Sequence, residues 1–192
     1  MKIKTVLLSA ALASVTFIAD SNIVQAQDCP QNGVVPASVQ TRIIRQEKFG
    51  YRFRIPNNYR TMTHQGNVLL VFDPNSFAEA QCLIKNQAPR ELPNGISIYV
   101  KSVNSKNQSL LNIIKKDDPT TDKFENIKVA NRTAVTYISN TLGVNQNVSL
   151  FTPDRKYIIT ISAPFNFKEG RPTSIFNKKV FDQVISSFNF VR

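Results

Sequence analysis

The sequence predicts an α+β domain built around an antiparallel sheet of about six strands. Several short segments alternate apolar and polar residues, or are apolar throughout, and polar turn residues join them. Two other segments have apolar residues at helical spacing, one in the middle of the chain and one near its end. Because the helices are set apart from the hairpins instead of alternating with single strands, the pattern favours α+β.

Six or seven short segments are predicted to form strands. In the first, Tyr51, Phe53 and Ile55 alternate with two arginines, which indicates a half-buried strand with a basic outer face. A tight turn at Ala130 and Asn131 separates two later strands, since asparagine tolerates the left-handed conformation that such a turn needs. In order, the predicted strands cover residues 51–55, 67–74, 96–103, 124–129, 132–139, 148–151 and 157–163.

Two segments are predicted to be helices. Residues 109–116 carry an apolar stripe, with Ser109 as the N-cap and two lysines in the last turn, where the helix dipole favours them. Residues 173–187 are predicted to form a longer amphipathic helix. The remaining segments are interpreted as a turn at residues 73–75, an ambiguous stretch over 76–85 and a polar loop over 166–174.

The N-terminus has the parts of a secretory signal peptide. Two lysines precede an uncharged, largely apolar stretch over residues 5–18, and Val24 and Ala26 occupy the −3 and −1 positions of a cleavage site. The stretch is too short to be a membrane-spanning helix. We therefore predict an exported protein with a signal peptide over residues 1–26, an extended N-terminal arm over 27–46 and one domain over 47–192.

Two cysteines remain after the leader, Cys29 and Cys82. A lipid anchor on Cys29 would need small apolar residues before it, but Gln27 and Asp28 precede it. A nucleophile needs a base, a zinc site needs three or four nitrogen or sulfur ligands, and the chain has a single histidine, His64. Since exported compartments are oxidising, we predict a Cys29–Cys82 disulfide that ties the arm to the domain.

The chain is basic, with 24 lysines and arginines against 13 acidic residues and a net charge of +11. In an exported protein this charge points to an anionic membrane surface or an acidic protein face rather than to nucleic acid. Six basic residues crowd residues 42–60, and others follow towards the end. They form either one docking face or a generally solvated basic surface. The candidate partner-binding residues are Arg52, Arg54, Arg60, Arg155, Lys156, Lys178 and Lys179.

The order of these segments resembles the PsbP family, extrinsic proteins on the lumenal face of photosystem II, whose fold is shared with envelope proteins such as DcrB. The matching stretches are GYRFRIPNNYR, IKVANRTAVTY, RKYIITISAP and FDQVISSFNF, and the resemblance covers about residues 47–190. It implies helices on both faces of the sheet, an α-β-α sandwich, no catalysis, and a role in binding or assembling a membrane complex. Asn131 stands where the family commonly has glycine, and the two cysteines are not part of the family pattern.

The sequence shows no constellation of catalytic residues. His64 has no carboxylate near it in sequence, and we expect a loop histidine rather than a metal ligand or general base. The acidic residues Asp117, Asp118, Asp122 and Glu125 could hold Ca²⁺ weakly, but their spacing is not that of an EF-hand loop. A solvated acidic turn is the favoured interpretation. We therefore expect no enzyme activity, no cofactor and no metal.

Three functional hypotheses remain. The first is a PsbP-like extrinsic subunit or assembly factor that binds a membrane complex, with photosystem II as the expected complex. The second is a periplasmic or envelope protein of the same fold that binds another protein or an anionic lipid surface. The third is an enzyme. Under the first two, we expect a monomer in the thylakoid lumen or periplasm, soluble or peripherally membrane-associated, that binds no nucleic acid.

Overall fold

The computed structural model describes residues 29–64, 66–104, 108–141 and 143–191, and the predicted signal peptide lies outside them. Residues Glu47–Phe49 form a short 3-10 turn. None of the helices in these ranges has the length and apolar character needed to cross a bilayer. The strands are β1 (Thr41–Gln46), β2 (Tyr51–Pro56), β3 (Arg60–His64), β4 (Val68–Phe72), β5 (Ile96–Ser102), β6 (Asp122–Val129), β7 (Arg132–Ser139), β8 (Asn145–Phe151), β9 (Tyr157–Lys168), β10 (Arg171–Ile175) and β11 (Asn189–Phe190). The helices are α1 (Pro74–Lys85), α2 (Leu110–Asp117) and α3 (Lys178–Ser187).

The strands form two antiparallel sheets, so the predicted α+β class is confirmed. The large sheet has the order β3-β4-β5-β9-β8-β7-β6, with β10 paired to the far end of β9. The small sheet has the order β1-β2-β11. The prediction of about six strands is therefore wrong in number, because the large sheet alone has eight. The seven predicted strands correspond to β2 and β4 to β9, whereas β1, β3, β10 and β11 were not predicted.

Alternation along the strands of the large sheet gives it two buried faces. On β9, Ile159 and Ile161 belong to the main core, and Ile158 belongs to a second cluster beneath α2. The inner face of the small sheet and α3 cover the main core, while α2 covers the second cluster. Successive residues of a strand point to opposite faces, so α2 and α3 lie on opposite sides of the sheet. The expected placement of helices on both faces is thereby confirmed.

Two local features follow the sequence closely. The turn between β6 and β7 places Ala130 at φ 50° and Asn131 at φ 59°, the left-handed pair that a two-residue hairpin needs. Helix α2 begins where the N-cap was predicted, and the Ser109 hydroxyl accepts a hydrogen bond from the Asn112 N–H at 3.2 Å. In both places a short-range interaction sets the conformation, so the sequence predicts it well.

Residues 73–75 open α1 instead of forming the predicted turn. Asp73 is the N-cap, and its Oδ1 accepts hydrogen bonds from the N–H groups of Asn75 at 3.1 Å and Ser76 at 3.5 Å. Pro74 occupies the first helical turn, where its missing N–H costs nothing. An Asp-Pro pair is equally typical of a turn and of a helix start, which explains the wrong interpretation.

The predicted polar loop over residues 166–174 is a β-hairpin. Strand β9 continues to Lys168, and the chain reverses at Glu169 (φ 52°) and Gly170 (φ 74°) before β10. The predicted helix start at residue 173 is also wrong, because α3 begins at Lys178. The hairpin extends past the neighbouring strands, and residues 166–174 are exposed on both faces, so their sequence has no apolar alternation to reveal a strand.

The Cys29–Cys82 disulfide is confirmed, and it joins the N-terminal arm to α1. Beyond the disulfide, side chains of the domain hold the arm backbone. Arg90 donates to the carbonyl of Cys29 at 3.2 Å, and Asn75 donates to the carbonyl of Gly33 at 2.7 Å. The N–H of Val35 donates to the buried carboxylate of Asp73 at 3.0 Å. The arm is therefore held against the domain at Cys29, Gly33 and Val35.

Candidate basic docking face

Strand β2 separates a buried face from a basic one. The side chains of Tyr51, Phe53 and Ile55 belong to the main core and are almost fully buried. Arg52 and Arg54 alternate with them and therefore point away from the core. Arg54 is exposed and Arg52 is partly exposed. The predicted half-buried strand with a basic outer face is thus confirmed.

The neighbouring strands extend this outer face. In the register of β1 with β2, Arg45 lies opposite Arg52 and Ile43 lies opposite Arg54. On the other side, Asn189 of β11 lies opposite Arg52. Next to it, at the end of α3, the Ser187 hydroxyl accepts a hydrogen bond from the Arg54 N–H at 2.9 Å. We call this surface the arginine face, and it consists of Ile43, Arg45, Arg52, Arg54, Ser187 and Asn189.

The arginine face is concave. It contains a groove of about 180 Å³. Ile43, which is 44% exposed, forms an apolar patch at one side of the groove, and the polar side chains of Ser187 and Asn189 contribute to its lining. The residues that line it are Ile43, Arg52, Phe53, Arg54, Ser187 and Asn189. A side chain from another molecule could enter a depression of this size.

The arginines of this face carry charge that no carboxylate neutralises in the described part of the chain. The ion pairs there join Arg90 to Glu79, Lys101 to Asp117, Lys156 to Asp154 and Lys178 to Asp182. Within the described residues, the Arg54 guanidinium donates only to the Thr41 hydroxyl, at 3.4 Å. Arg45 and Arg52 lie directly opposite each other, an arrangement of like charges that disfavours folding slightly. An anionic ligand would remove that repulsion.

Arg60, another predicted partner-binding residue, lies at the corner where β2 leads into β3. Its guanidinium donates to the carbonyl oxygens of Asn57 at 2.9 Å and Tyr59 at 3.1 Å. The guanidinium of Arg42 donates to the same Tyr59 oxygen at 2.8 Å. Arg60 thus helps to hold this corner, although it remains exposed.

The other four predicted partner-binding residues lie at opposite ends of β9. Arg155 and Lys156 are in the turn before β9, where the Arg155 guanidinium lies 4.1 Å from the centre of the Phe151 ring. Lys178 and Lys179 begin α3. The start of α3 lies near Pro164 of β9, because the N–H of Phe176, two residues before Lys178, donates a hydrogen bond to the Pro164 carbonyl. Pro164 lies seven positions after Tyr157 along β9, a distance of roughly 23 Å. The structure therefore does not combine all seven basic residues into one face.

The small sheet also adds residues that the sequence did not identify as candidates. Ile43, Ser187 and Asn189 reach the arginine face only because β1 and β11 pair with β2. Arg45 was one of the crowded basic residues but not a chosen candidate. The spacing of Arg45 and Ile43 by two residues indicates that both side chains lie on one face of a strand. Only the register of β1 with β2 shows that this face is the one that carries Arg52 and Arg54.

The acidic residues proposed as weak metal candidates make separate contacts. Asp117 pairs with Lys101 at 2.6 Å. Asp118 accepts hydrogen bonds from the hydroxyls of Thr120 at 2.6 Å and Thr141 at 2.7 Å. Asp122 is exposed at the start of β6. Within the described ranges, no three histidine, cysteine or acidic side chains converge as metal ligands would.

The contacts of Asp118 predict an acid-sensitive contribution to stability. Partial burial works to raise the pKa of Asp118, but the hydrogen bonds from Thr120 and Thr141 outweigh it and lower the pKa below its ordinary value. A carboxyl with a lowered pKa stabilises the fold above its unfolded pKa, near 4, and this contribution is lost as the pH falls through the folded pKa. Asp118→Asn should cost roughly 1 kcal/mol at pH 7 and much less at pH 3, by urea unfolding. An equal cost at both pH values would contradict this expectation.

His64 and the buried hydroxyls account for the remaining polar groups of interest. His64 ends β3 and is half-buried, rather than lying in the loop that we expected.

Beneath α2, the Tyr137 hydroxyl lies 3.1 Å from Ser149 Oγ, which lies 2.6 Å from Thr160 Oγ1. Burial raises the pKa of Tyr137 well above its usual range, so the phenol stays neutral. These hydroxyls satisfy one another as a structural network.

No model of a protein family and no curated protein matches this chain. Among solved structures, it is similar to the solution structure of cyanobacterial PsbP (CyanoP) from Synechocystis sp. PCC 6803, with 17% identity, a TM-score of 0.46, and coverage of 84% of this chain and 97% of that one. It is also similar to a protein from Bacteroides thetaiotaomicron VPI-5482, with 10% identity, a TM-score of 0.39, and coverage of 74% of this chain and 46% of that one. The first of these structures bears the name of the family that the sequence resembles.

Proposed function

We propose that this chain is an exported, non-catalytic protein that attaches to a membrane protein complex through the arginine face. The observation that carries the proposal is the set of Arg45, Arg52 and Arg54. These arginines are exposed or partly exposed, lie on the side of the small sheet away from the main core, and have no carboxylate partner among the described residues. Uncompensated positive charge on one face attracts and orients an anionic partner. Attachment of this kind is reversible and sensitive to salt.

The compartment and the complex are finer parts of the same proposal. The Cys29–Cys82 disulfide fits an exported protein, because such bonds persist in oxidising compartments. The resemblance of the sequence to the PsbP family supports the thylakoid lumen and photosystem II as the site of attachment. The periplasm, with another protein or an anionic lipid surface as partner, is the alternative that the experiment must distinguish.

Fractionation of the native host tests this proposal. The tagged protein should sediment with thylakoid membranes at low salt and should be released, together with photosystem II components, by a wash at about 1 M NaCl, where the screening length falls to about 3 Å. Recovery as free periplasmic protein would remove the membrane complex from the proposal. Recovery on the outer envelope would support the alternative.

Charge reversal tests the face itself. In Arg52→Glu/Arg54→Glu, most of the protein should move from the membrane pellet to the supernatant at low salt. Because both side chains point away from the core, the melting temperature should change by no more than about 2 °C. The matched control is Lys178→Glu/Lys179→Glu, which changes the charge equally at the other end of α3, roughly 14 Å from Ser187. If both variants lose attachment equally, net charge rather than the arginine face governs binding.

A further inference from the structure

We infer that the arginine face binds an extended, acidic polypeptide segment whose carboxylates occur at every second residue. This inference rests on the proposed function and names the chemistry of the partner at the same surface. It follows from the spacing of the arginines, from the type of cation and from the concave shape of the face.

The arginines are spaced like the side chains of an extended chain. Arg52 and Arg54 are two residues apart on β2, which places their Cα atoms roughly 6.7 Å apart along the strand. Arg45 lies across from Arg52 on the neighbouring strand, roughly 5 Å away. A polypeptide in an extended conformation presents side chains of one face at the same 6.7 Å repeat. Carboxylates two residues apart can therefore face Arg52 and Arg54 at the same time.

The type of cation favours carboxylates. All three cations of the face are arginines, although the whole chain contains many lysines. A guanidinium is planar and pairs with a carboxylate through two parallel hydrogen bonds, whereas an ammonium acts as a point charge. Arg52 and Arg45 lie together on the exposed side of the small sheet, so one carboxylate can contact both.

The shape of the face favours a polypeptide over a lipid surface. The groove beside Ile43 and Asn189 is a depression of about 180 Å³, which a side chain can enter and a flat bilayer surface cannot fill. Membrane-surface binding is also stronger where a broad apolar face lies beside the cations. On the arginine face the only exposed aliphatic side chain is Ile43, which suits one apolar side chain of a peptide.

Binding of defined probes to the purified mature protein tests the inference. Two fluorescein-labelled nine-residue peptides each carry three glutamates, at positions 2, 4 and 6 in one and at 2, 5 and 8 in the other, with the remaining positions identical in composition. The third probe is a vesicle of phosphatidylglycerol. Fluorescence anisotropy and vesicle sedimentation are measured at about 10 mM salt, where charge interactions are only weakly screened.

The first peptide should bind at least roughly threefold more tightly than the second, because only its three carboxylates share one face of an extended chain. Arg52→Gln/Arg54→Gln should weaken its binding roughly tenfold, whereas Lys178→Gln/Lys179→Gln should change it less than about twofold. Melting temperatures of both variants confirm that they are folded. Equal binding of the two peptides, or equal loss in the two variants, would overturn the inference.

The remaining outcomes separate this inference from the proposed function. If only the vesicles bind, and bind through Arg52 and Arg54, the partner is a lipid surface and the inference is wrong. If salt-releasable attachment to membranes depends on Arg52 and Arg54 but no peptide preference exists, the inference fails and the proposed function stands. If the alternating peptide binds as expected but the protein shows no membrane attachment in its host, the proposed function fails instead.

Discussion

Replacement of both Cys29 and Cys82 by serine is expected to lower the free energy of unfolding by about 4 kcal/mol. The two cysteines are 53 residues apart, so the disulfide closes a long loop and removes much of the conformational freedom of the unfolded chain. Domains of this size have a total stability of roughly 5–15 kcal/mol, so the loss is a large fraction of it. Urea unfolding of the variant and the wild type measures the difference.

Reducing agent supplies the matched control for the disulfide. It should shift the unfolding midpoint of the wild type to that of the serine variant and should leave the variant unchanged. The consequences should also be local. The Val35 amide, which donates to Asp73 in the oxidised protein, should exchange with solvent faster once the tether is gone, while the amides between β1 and β2 should keep their protection. A wild-type midpoint that reductant does not move would show that the tether contributes no stability.

The disulfide, the turn between β6 and β7 and the N-cap of α2 could be predicted because each depends on few residues. Two cysteines outside the predicted leader leave one intramolecular pairing, and both can be read directly from the sequence. The Ala130 and Asn131 turn and the Ser109 cap are set by neighbours within four residues. The seven strands with an apolar face were predictable because a strand that buries one face has apolar residues at every second position.

The missing strands lack that signal for different physical reasons. Strand β10 is exposed on both faces, and β11 has only two residues. Strand β1 follows an arm with two prolines. The alternation of its side chains does not show which face is covered until its register with β2 is known.

The arginine face was partly predictable in the same sense. Alternation placed Arg52 and Arg54 on the outer side of one strand, and this was correct. The positions of Arg45, Ser187 and Asn189 depend on pairing between segments that are distant in sequence, which composition and spacing do not encode. The sequence also does not encode the distances between distant segments. For this reason Arg155, Lys156, Lys178 and Lys179 were listed with Arg52 and Arg54 as partner-binding candidates, although the two pairs lie at opposite ends of β9.

Phe53→Ala is expected to lower the free energy of unfolding by roughly 3–5 kcal/mol. Phe53 is 1% exposed and packs in the main core, where the inner face of β2 meets α3. Removal of its ring leaves a cavity between the small sheet and α3 that the β2 backbone, held by β1 on one side and β11 on the other, cannot fill by moving inward. The variant should therefore unfold at a clearly lower urea concentration.

The neighbours of Phe53 provide the control because they belong to the opposite face of the same strand. Arg52→Gln and Arg54→Gln should each change stability by no more than about 0.5 kcal/mol, since neither side chain packs in the core and neither has an ion-pair partner among the described residues. At position 52 the change should even be slightly favourable, because it removes the repulsion from Arg45. A core substitution should thus reduce stability, while the arginine substitutions should reduce binding in a protein that remains folded. If Phe53→Ala were harmless while an arginine variant unfolded, the assignment of the two faces of β2 would be reversed, and the arginine face would lose its basis as a docking surface.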